Sequence, residues 1–133
     1  ADVCICMTHD CVPYDRNLVK ELLEALDASE RVAAAYARQL PAADCGVIER
    51  YTRDFNYPAV SRLKGKEDED ELGIKTYFCS NVCAAYRRDI YLKLGGFTKK
   101  TIFNEDMIFA GHAVEAGYQI AYAADAQVIH SHN

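Results

Sequence analysis

Two acidic side chains, Glu105 and Asp106, stand side by side in the segment FNEDMIFAGHAVEAGY, in an otherwise largely apolar surround. A carboxylate can act as a general base when a substrate hydroxyl comes within hydrogen-bonding reach. The same pair could instead serve the helix that this segment predicts, because acids in the first turn complement the helix dipole and Asn104 could cap it. Helix geometry alone does not separate the catalytic interpretation from the capping one.

Asp10 and His130 are candidates for a metal site. Asp10 follows the first apolar segment, DVCICMT, and His130 comes at the end of the last one, in VIHSHN. Ligands of open α/β sheets gather beyond the carboxyl ends of the strands, and carboxylate oxygens bind Mg²⁺ or Mn²⁺. In an extended segment His130 and His132 point the same way, so two imidazoles could share the site. The alternatives are an Asx turn at Asp10 before Pro13, and two polar residues that merely end a strand.

A zinc site is another possibility for these residue types, with Cys79, Cys83, His130 and His132 as its ligands. Structural zinc sites favour short loops of the Cys-x-x-Cys kind, and none of the six cysteines forms such a pair. Cys79 and Cys83 are predicted to share a strand, in which four residues span about 13 Å at about 3.3 Å per residue. That separation disfavours a shared ion.

The segments that would position these side chains alternate between strand and helix. Strands are predicted in DVCICMT, RVAAAYARQLP, IKTYFCSNVCAAYRR and YQIAYAADAQVIHSHN, and helices in NLVKELLEALDA, AADCGVIERYTRDF, DIYLKLGG and EDMIFAGHAVEAG. The leucines of the first helix fall on one face: Leu18, Leu22, Leu23 and Leu26. The predicted fold class is therefore α/β, with a mainly parallel or mixed sheet.

Two segments carry expectations about burial. DVCICMT is continuously apolar, which is typical of a strand buried on both faces. SRLKGKEDEDELG is dense in charge and shows no apolar periodicity, so it predicts a solvated, mobile loop.

Composition bounds the class of protein. The chain has 133 residues, of which 50% are hydrophobic and 26% charged, as in one soluble globular domain. A net charge of −5 without a Lys/Arg stripe argues against a nucleic-acid partner. No apolar run approaches the ~18 residues that cross a membrane, which leaves peripheral contact open.

Six cysteines in mostly apolar stretches indicate a reduced, cytoplasmic protein. Because the chain begins without Met in an apolar run, we expect a piece of a longer protein.

An ordered set of short motifs resembles family 2 glycosyltransferases of the GT-A fold, in particular those of the bacterial rhamnosyltransferase type. THDCVP follows an apolar strand, and SNVCAAYRR, GGF, NED and VIHSH come after it in that order. The resemblance implies a partial GT-A fold over residues 1–133, a mixed sheet flanked by helices, without the N-terminal half that binds the nucleotide. It also implies an inverting, metal-dependent transferase that moves a sugar, rhamnose among the candidates, from a nucleotide-diphosphate donor to a glycan or lipid-linked acceptor.

The resemblance assigns roles to matching positions. Asp10 matches the second Asp of the DxD motif, which binds Mg²⁺ or Mn²⁺ on the donor diphosphate. Thr8 stands in place of the first Asp, and this departure puts in doubt any contact of Thr8 with the nucleotide or the metal. His130 matches a His that ligates the same metal in some members. Asp106 matches the general base of the ED motif, and Glu105 would orient the acceptor or Asp106.

By position, Tyr57, Asn81 and Arg88 are candidates for acceptor binding, although a structural role is favoured for each of them. The alternative function is a non-catalytic module that binds a glycan or a protein through a degenerate site. The threonine at position 8, in place of the first Asp of the DxD motif, favours this alternative. The isolated chain is expected to be inactive, because little would bind the nucleotide. It is also expected to self-associate through residues 3–7, which carry no Lys or Pro to protect a sheet edge. The full protein is expected in the cytoplasm, with contact to the inner face of the membrane left open.

Overall fold

The computed structural model describes residues 2–41, 46–97 and 105–130. Its strands are β1 (Val3–Met7), β2 (Cys11–Pro13), β3 (Val32–Pro41), β4 (Arg62–Lys64), β5 (Cys83–Arg87) and β6 (Gln119–His130). Its helices are α1 (Leu18–Leu26), α2 (Val47–Asn56), α3 (Glu69–Leu72), α4 (Arg88–Lys93) and α5 (Glu105–Glu115), with 3-10 turns at Lys66–Asp68 and Gly73–Tyr77. None of the helices within these ranges is long and apolar enough to cross a membrane.

The strands form one mixed sheet in the order β1–β5–β3–β6–β2, and β4 also pairs with β6. The pair β3–β6 is parallel, whereas β1–β5, β3–β5, β2–β6 and β4–β6 are antiparallel. The α/β class with a mixed sheet is thus confirmed, and the arrangement is consistent with part of a nucleotide-sugar transferase domain. The carboxyl ends of β3 and β6 meet at one edge, where Pro41 pairs with His130.

The two faces of the sheet have separate hydrophobic cores. Successive residues of β3 point to opposite faces, so Tyr36 joins the core that contains Phe109 of α5, while Ala35 joins the core under α1. α1 buries Leu22 completely, together with Leu18 and Leu26 one turn away on either side. Leu23 is 38% exposed, so its predicted place on the buried face is wrong. A stripe of residues at i and i+4 suffices to cover the sheet.

β1 lies at the end of the described sheet rather than inside it. It pairs with β5, and its side chains Ile5 and Met7 are 41% and 42% exposed. The prediction of a strand buried on both faces is therefore wrong for this chain. A continuous apolar sequence is compatible with such a strand, but burial also requires neighbours on both faces, which no sequence run can supply by itself.

We predict that the isolated chain self-associates through β1, most simply as a two-fold dimer in which residues 3–7 pair antiparallel with their copies. Light scattering at micromolar concentration should show a dimer, and Ile5→Lys should shift it to monomer because each dimer would bring two ammonium groups together. Val19→Lys is the matched control, since Val19 is an exposed apolar side chain on α1. A monodisperse wild-type monomer would disprove the pairing.

The charged segment SRLKGKEDEDELG forms secondary structure, so the prediction that it is a loop is wrong. It contains β4, a 3-10 turn and α3. Arg62 bridges Asp68 at 3.2 Å and Glu71 at 2.8 Å, which folds the segment back on itself. Charge pairs of this kind have no apolar period and leave no signal in a periodicity analysis. The neighbouring IKTYFCSNVCAAYRR is also only partly a strand, because β5 begins at Cys83 and Cys79 precedes it.

Lys64 is the most buried cation of this segment, with 4% of its surface exposed. Its ammonium group donates to the hydroxyl of Tyr36 at 2.9 Å and to the carbonyl oxygens of Lys75 at 3.0 Å and Phe78 at 2.7 Å. Three acceptors match the three protons of the group. Burial nevertheless lowers the pKa of Lys64 to about 8, because it disfavours the charged form.

The stability of the fold should therefore depend on pH through Lys64. The folded-state pKa lies below that of a lysine in the unfolded chain, so the unfolded state binds more protons between about pH 8 and 10.5 and stability from this group rises across that window. We compare the free energy of unfolding of wild type with that of Lys64→Met. The difference between the two should shift in favour of wild type by about 2 to 3 kcal/mol from pH 8 to 10.5. Denaturant titrations at several pH values measure it, with exposed Lys20→Met as control. A constant difference would contradict the burial argument.

Candidate active site

The turn between β1 and β2 brings Asp10 to the end of β6. β2 runs antiparallel to β6 with Cys11 opposite His130, so the residue before Cys11 reaches the imidazole. The Oδ2 atom of Asp10 lies 3.1 Å from Nε2 of His130. Asp10 is exposed and His130 is buried. The predicted proximity of these two side chains is confirmed, while their function as metal ligands stays a prediction.

Thr8 lies two residues before Asp10 in the same turn. The Thr8 side chain, and secondly His130, lower the pKa of Asp10 to about 2 by favouring its ionised form. The backbone N–H of Thr8 donates to the carbonyl oxygen of Val82 at 3.0 Å, and the Cys11 thiol donates to the same oxygen at 3.2 Å. The residues on both sides of Asp10 are thus tied to one loop, and its carboxylate is ionised at any physiological pH.

Gln39 and Ser80 extend this contact, and no motif in the sequence predicted a role for either residue. The Oε1 atom of Gln39 lies 3.2 Å from Nδ1 of His130, and Nε2 of Gln39 donates to Oγ of Ser80 at 3.0 Å. A carboxamide oxygen only accepts, so Nδ1 donates and Nε2 of His130 is turned toward Asp10. The available signal was a polar residue next to the end of an apolar strand, at Gln39 before Leu40 and Pro41.

Asp106 lies in the first turn of α5, directly after Glu105, as predicted. Its Oδ2 accepts the backbone N–H of Asn81 at 2.9 Å, and its Oδ1 accepts that of Met107 at 2.8 Å. The carboxylate therefore joins the start of the helix to the loop that contains Ser80. Each oxygen keeps a lone pair for a further donor. The possible cap, Asn104, lies outside the described residues.

Residues 80–82, which we call the 80–82 loop, connect the Asp10–His130 pair with Asp106. Val82 accepts from the residues that flank Asp10, Ser80 bonds Gln39, and Asn81 holds Asp106. Asp10, His130 and Asp106 thus belong to one network of contacts that draws on β2, β3, β6, α5 and this loop. Whether Asp106 faces the same cleft as the other two stays a prediction.

The donor set of Asp10 and His130 fits a divalent cation. Neighbouring ligands of an octahedral Mg²⁺ or Mn²⁺ are about 3.0 Å apart when the bonds are about 2.1 Å, so a cation could replace the hydrogen bond that joins Oδ2 and Nε2 at 3.1 Å. Within the part of the chain that is described, no three His, Cys, Asp or Glu side chains cluster well enough to hold a metal by themselves. These two could supply only part of a coordination shell.

Two of the acceptor candidates make structural contacts. Tyr57 is buried and packs edge-on against Phe78, with ring centroids 5.7 Å apart. Asn81 is half-buried, and its Oδ1 accepts a short hydrogen bond from the Tyr86 hydroxyl. These contacts explain both residues without an acceptor, although Asn81 touches the base candidate through its backbone.

Arg88 is not brought to the site. The β1–β5 ladder pairs Val3 with Arg87 at one end and Met7 with Cys83 at the other. The backbone N–H of Arg88 donates to Asp2 at the first end, whereas Asp10 lies beyond the second. A direct contact of Arg88 with an acceptor next to Asp10 has no support in this arrangement.

The zinc interpretation also lacks support. Cys79 and Cys83 are buried, and burial raises the pKa of each thiol to about 12, so both are protonated at neutral pH. Zinc binds the thiolate. The cysteines in the described ranges carry no disulfide. His132 and Cys45 lie outside those ranges.

Comparison with known proteins identifies the family. Residues 1–95 match the family described as Glycosyl transferase family 2. The chain belongs to glycosyl transferase family 2. Over all 133 residues this family 2 chain is 43% identical to the O-antigen chain rhamnosyltransferase WbaN of Salmonella anatum. It is 44% identical to the O-antigen chain rhamnosyltransferase RfbN of Salmonella typhimurium strain LT2. The matches cover 100% of this chain and 42% of each relative, so the chain spans about two fifths of their length.

Proposed function

We propose that this chain is the catalytic and metal-binding part of an inverting glycosyltransferase that moves a sugar from a nucleotide-diphosphate donor to a hydroxyl of a glycan or lipid-linked acceptor. Membership of family 2 and the similarity to rhamnosyltransferases support glycosyl transfer, with rhamnose as the first sugar to test. The observation that carries the proposal is the network that joins Asp10 and His130 to Asp106 through the 80–82 loop.

On the donor side, Asp10 and His130 would hold a Mg²⁺ or Mn²⁺ ion beside the donor diphosphate. Such an ion would neutralise charge on the departing nucleoside diphosphate. Asp10 contributes a carboxylate that stays ionised, and His130 contributes a ring whose orientation Gln39 fixes.

On the acceptor side, Asp106 takes the proton from the attacking hydroxyl. The backbone N–H groups of Asn81 and Met107 hold its carboxylate at the start of α5. A base on the face of the sugar opposite the leaving group gives one direct displacement and inverts the anomeric centre, by the geometric logic of inverting glycosidases. Glu105, one residue earlier, would orient the acceptor.

A non-catalytic glycan-binding module is the second candidate, because Thr8 replaces the first Asp of the DxD motif. The two functions differ in whether a nucleotide sugar is consumed. The full-length protein that carries this chain should be tested with a panel of nucleotide sugars that includes dTDP-rhamnose, with Mn²⁺ and a glycan acceptor. Release of nucleoside diphosphate that requires the acceptor supports the transferase. Glycan binding without consumption of any donor supports the module.

The isolated 133-residue chain is the natural control for that screen. We expect it to show no transfer with any nucleotide sugar, because the donor nucleotide would find few contacts. Transfer by the isolated chain would show that these residues alone bind the donor.

A further inference from the structure

We propose that Gln39 is a positioning residue that sets the metal-binding geometry of His130 and the location of the base Asp106 at the same time. The inference rests on the proposed function, because it names how two parts of that site are coupled. Gln39 touches neither a substrate nor the reacting atoms in this mechanism. It acts through His130 on one side and Ser80 on the other.

The side chain of Gln39 is 6% exposed and lies near the carboxyl end of β3, beside its parallel neighbour β6. Its planar carboxamide has one acceptor and one donor arm. Oε1 lies 3.2 Å from Nδ1 of His130, and Nε2 donates to Oγ of Ser80 at 3.0 Å. Both contacts are made by one planar group, so this single side chain holds the metal-ligand candidate and the loop at once.

The hydrogen bond from Nε2 of Gln39 to Ser80 is linked to the base, Asp106, through the 80–82 loop. Oγ of Ser80 accepts the backbone N–H of Val82 at 3.3 Å, which holds the loop in its turn. The backbone N–H of Asn81, between these two residues, donates to Asp106. Loss of the Gln39–Ser80 bond would free the loop and move the carboxylate of Asp106. A misplacement of about 1 Å at a reacting group can cost about 10²-fold in rate.

The acceptor atom, Oε1 of Gln39, orients the proposed metal ligand His130. A metal-binding imidazole needs its second nitrogen held by a hydrogen-bond partner, and removal of such partners typically costs about 10- to 100-fold in metal affinity. Gln39→Met keeps length and burial but removes both arms. We expect it to weaken Mn²⁺ binding about 10-fold or more and to lower kcat as well.

Two further substitutions separate the arms. Ser80→Ala removes the loop contact and leaves the bond to His130, so kcat should fall about 10-fold while Mn²⁺ affinity stays within about twofold of wild type. Gln39→Glu keeps an acceptor for Nδ1 of His130, so it should recover Mn²⁺ affinity relative to Gln39→Met. A purely structural role would lower stability without this split between affinity and kcat.

The experiment uses the full-length protein that carries this chain. Calorimetric titration with Mn²⁺ in the presence of dTDP gives the affinity, and single-turnover rates with donor and acceptor give the chemical step. Gln127→Met is the matched control, since Gln127 lies on β6 and its Nε2 donates to the carbonyl oxygen of Ala124 at 3.3 Å. It should match wild type in both readouts.

The outcomes separate this inference from the proposed function. Weakened Mn²⁺ binding in Gln39→Met together with the rate-only defect of Ser80→Ala supports positioning of both partners by Gln39. Wild-type Mn²⁺ affinity in Gln39→Met, or a wild-type rate in Ser80→Ala, overturns it and leaves the proposed function intact. A wild-type protein that binds no Mn²⁺ with dTDP overturns the metal step of the proposed function, and the inference with it.

Discussion

Replacing Asp106 by Asn should remove most of the turnover of the full-length protein, on the order of 10²-fold or more in kcat. An amide has the same shape as the carboxylate, and its oxygen can still accept a hydrogen bond from the backbone N–H of Asn81 or Met107. It cannot take up the proton of the acceptor hydroxyl. The fold, the melting temperature and the affinity for the donor nucleotide should therefore remain close to wild type.

The matched control for the base is its neighbour. Glu105→Gln changes the same functional group one residue earlier in the same helical turn, and its effect on kcat should be milder. Single-turnover rates with saturating donor compare the two variants directly. Wild-type rates in Asp106→Asn, or equal losses in both variants, would rule out the assignment of Asp106 as the base.

Replacing Asp10 by Asn should abolish metal-dependent donor binding and lower transfer by at least about 100-fold. The substitution removes the anionic ligand and the charged partner of His130, but it leaves the exposed turn free to fold because Asp10 is exposed. Calorimetry with Mn²⁺ and dTDP should show the loss of affinity, and transfer should not recover at millimolar Mn²⁺.

Asp15→Asn is the control for this change, since Asp15 is an exposed acid that caps its own turn through the N–H of Asn17 at 2.9 Å. It should bind Mn²⁺ and transfer sugar like wild type. Full activity of the wild-type protein in excess chelator would contradict a metal held by Asp10 and His130.

Local patterns in the sequence predicted the parts of the fold that depend on local physics. The i, i+4 spacing of Leu18, Leu22 and Leu26 predicted α1 and its buried face, and the glycines after α4 and α5 marked where these helices end. Gly95, Gly96 and Gly117 adopt φ of 88°, 71° and 95°, which side chains with a Cβ atom rarely adopt.

Burial depends on neighbours and was predicted less well. The apolar run of β1 does not reveal whether another strand or a helix covers it. Lys64 lies in a charged run, yet it is buried because Tyr36, Lys75 and Phe78 supply three acceptors from other segments. These partners are 28, 11 and 14 residues away along the chain, beyond the reach of a periodicity analysis.

The candidate site shows the same division. Asp10 and His130 could be predicted because acids and imidazoles after strand ends are recognisable residue types in a recognisable place. Gln39 could not, because its importance lies in two side-chain contacts that join β3 to β6 and to the 80–82 loop. A polar residue near the end of an apolar strand marks the position, but it does not reveal which side chains the residue contacts.

The anomeric configuration of the product tests the central claim most directly. The proposed mechanism places a base, Asp106, opposite a leaving group held at Asp10 and His130, and a single displacement between them must invert the sugar carbon. Proton NMR of the product formed by the full-length protein, recorded before the anomers equilibrate, reads this out against the known configuration of the donor. We predict inversion. Retention would require a covalent intermediate or attack from the side of the leaving group, and would contradict the proposed roles of Asp106, Asp10 and His130.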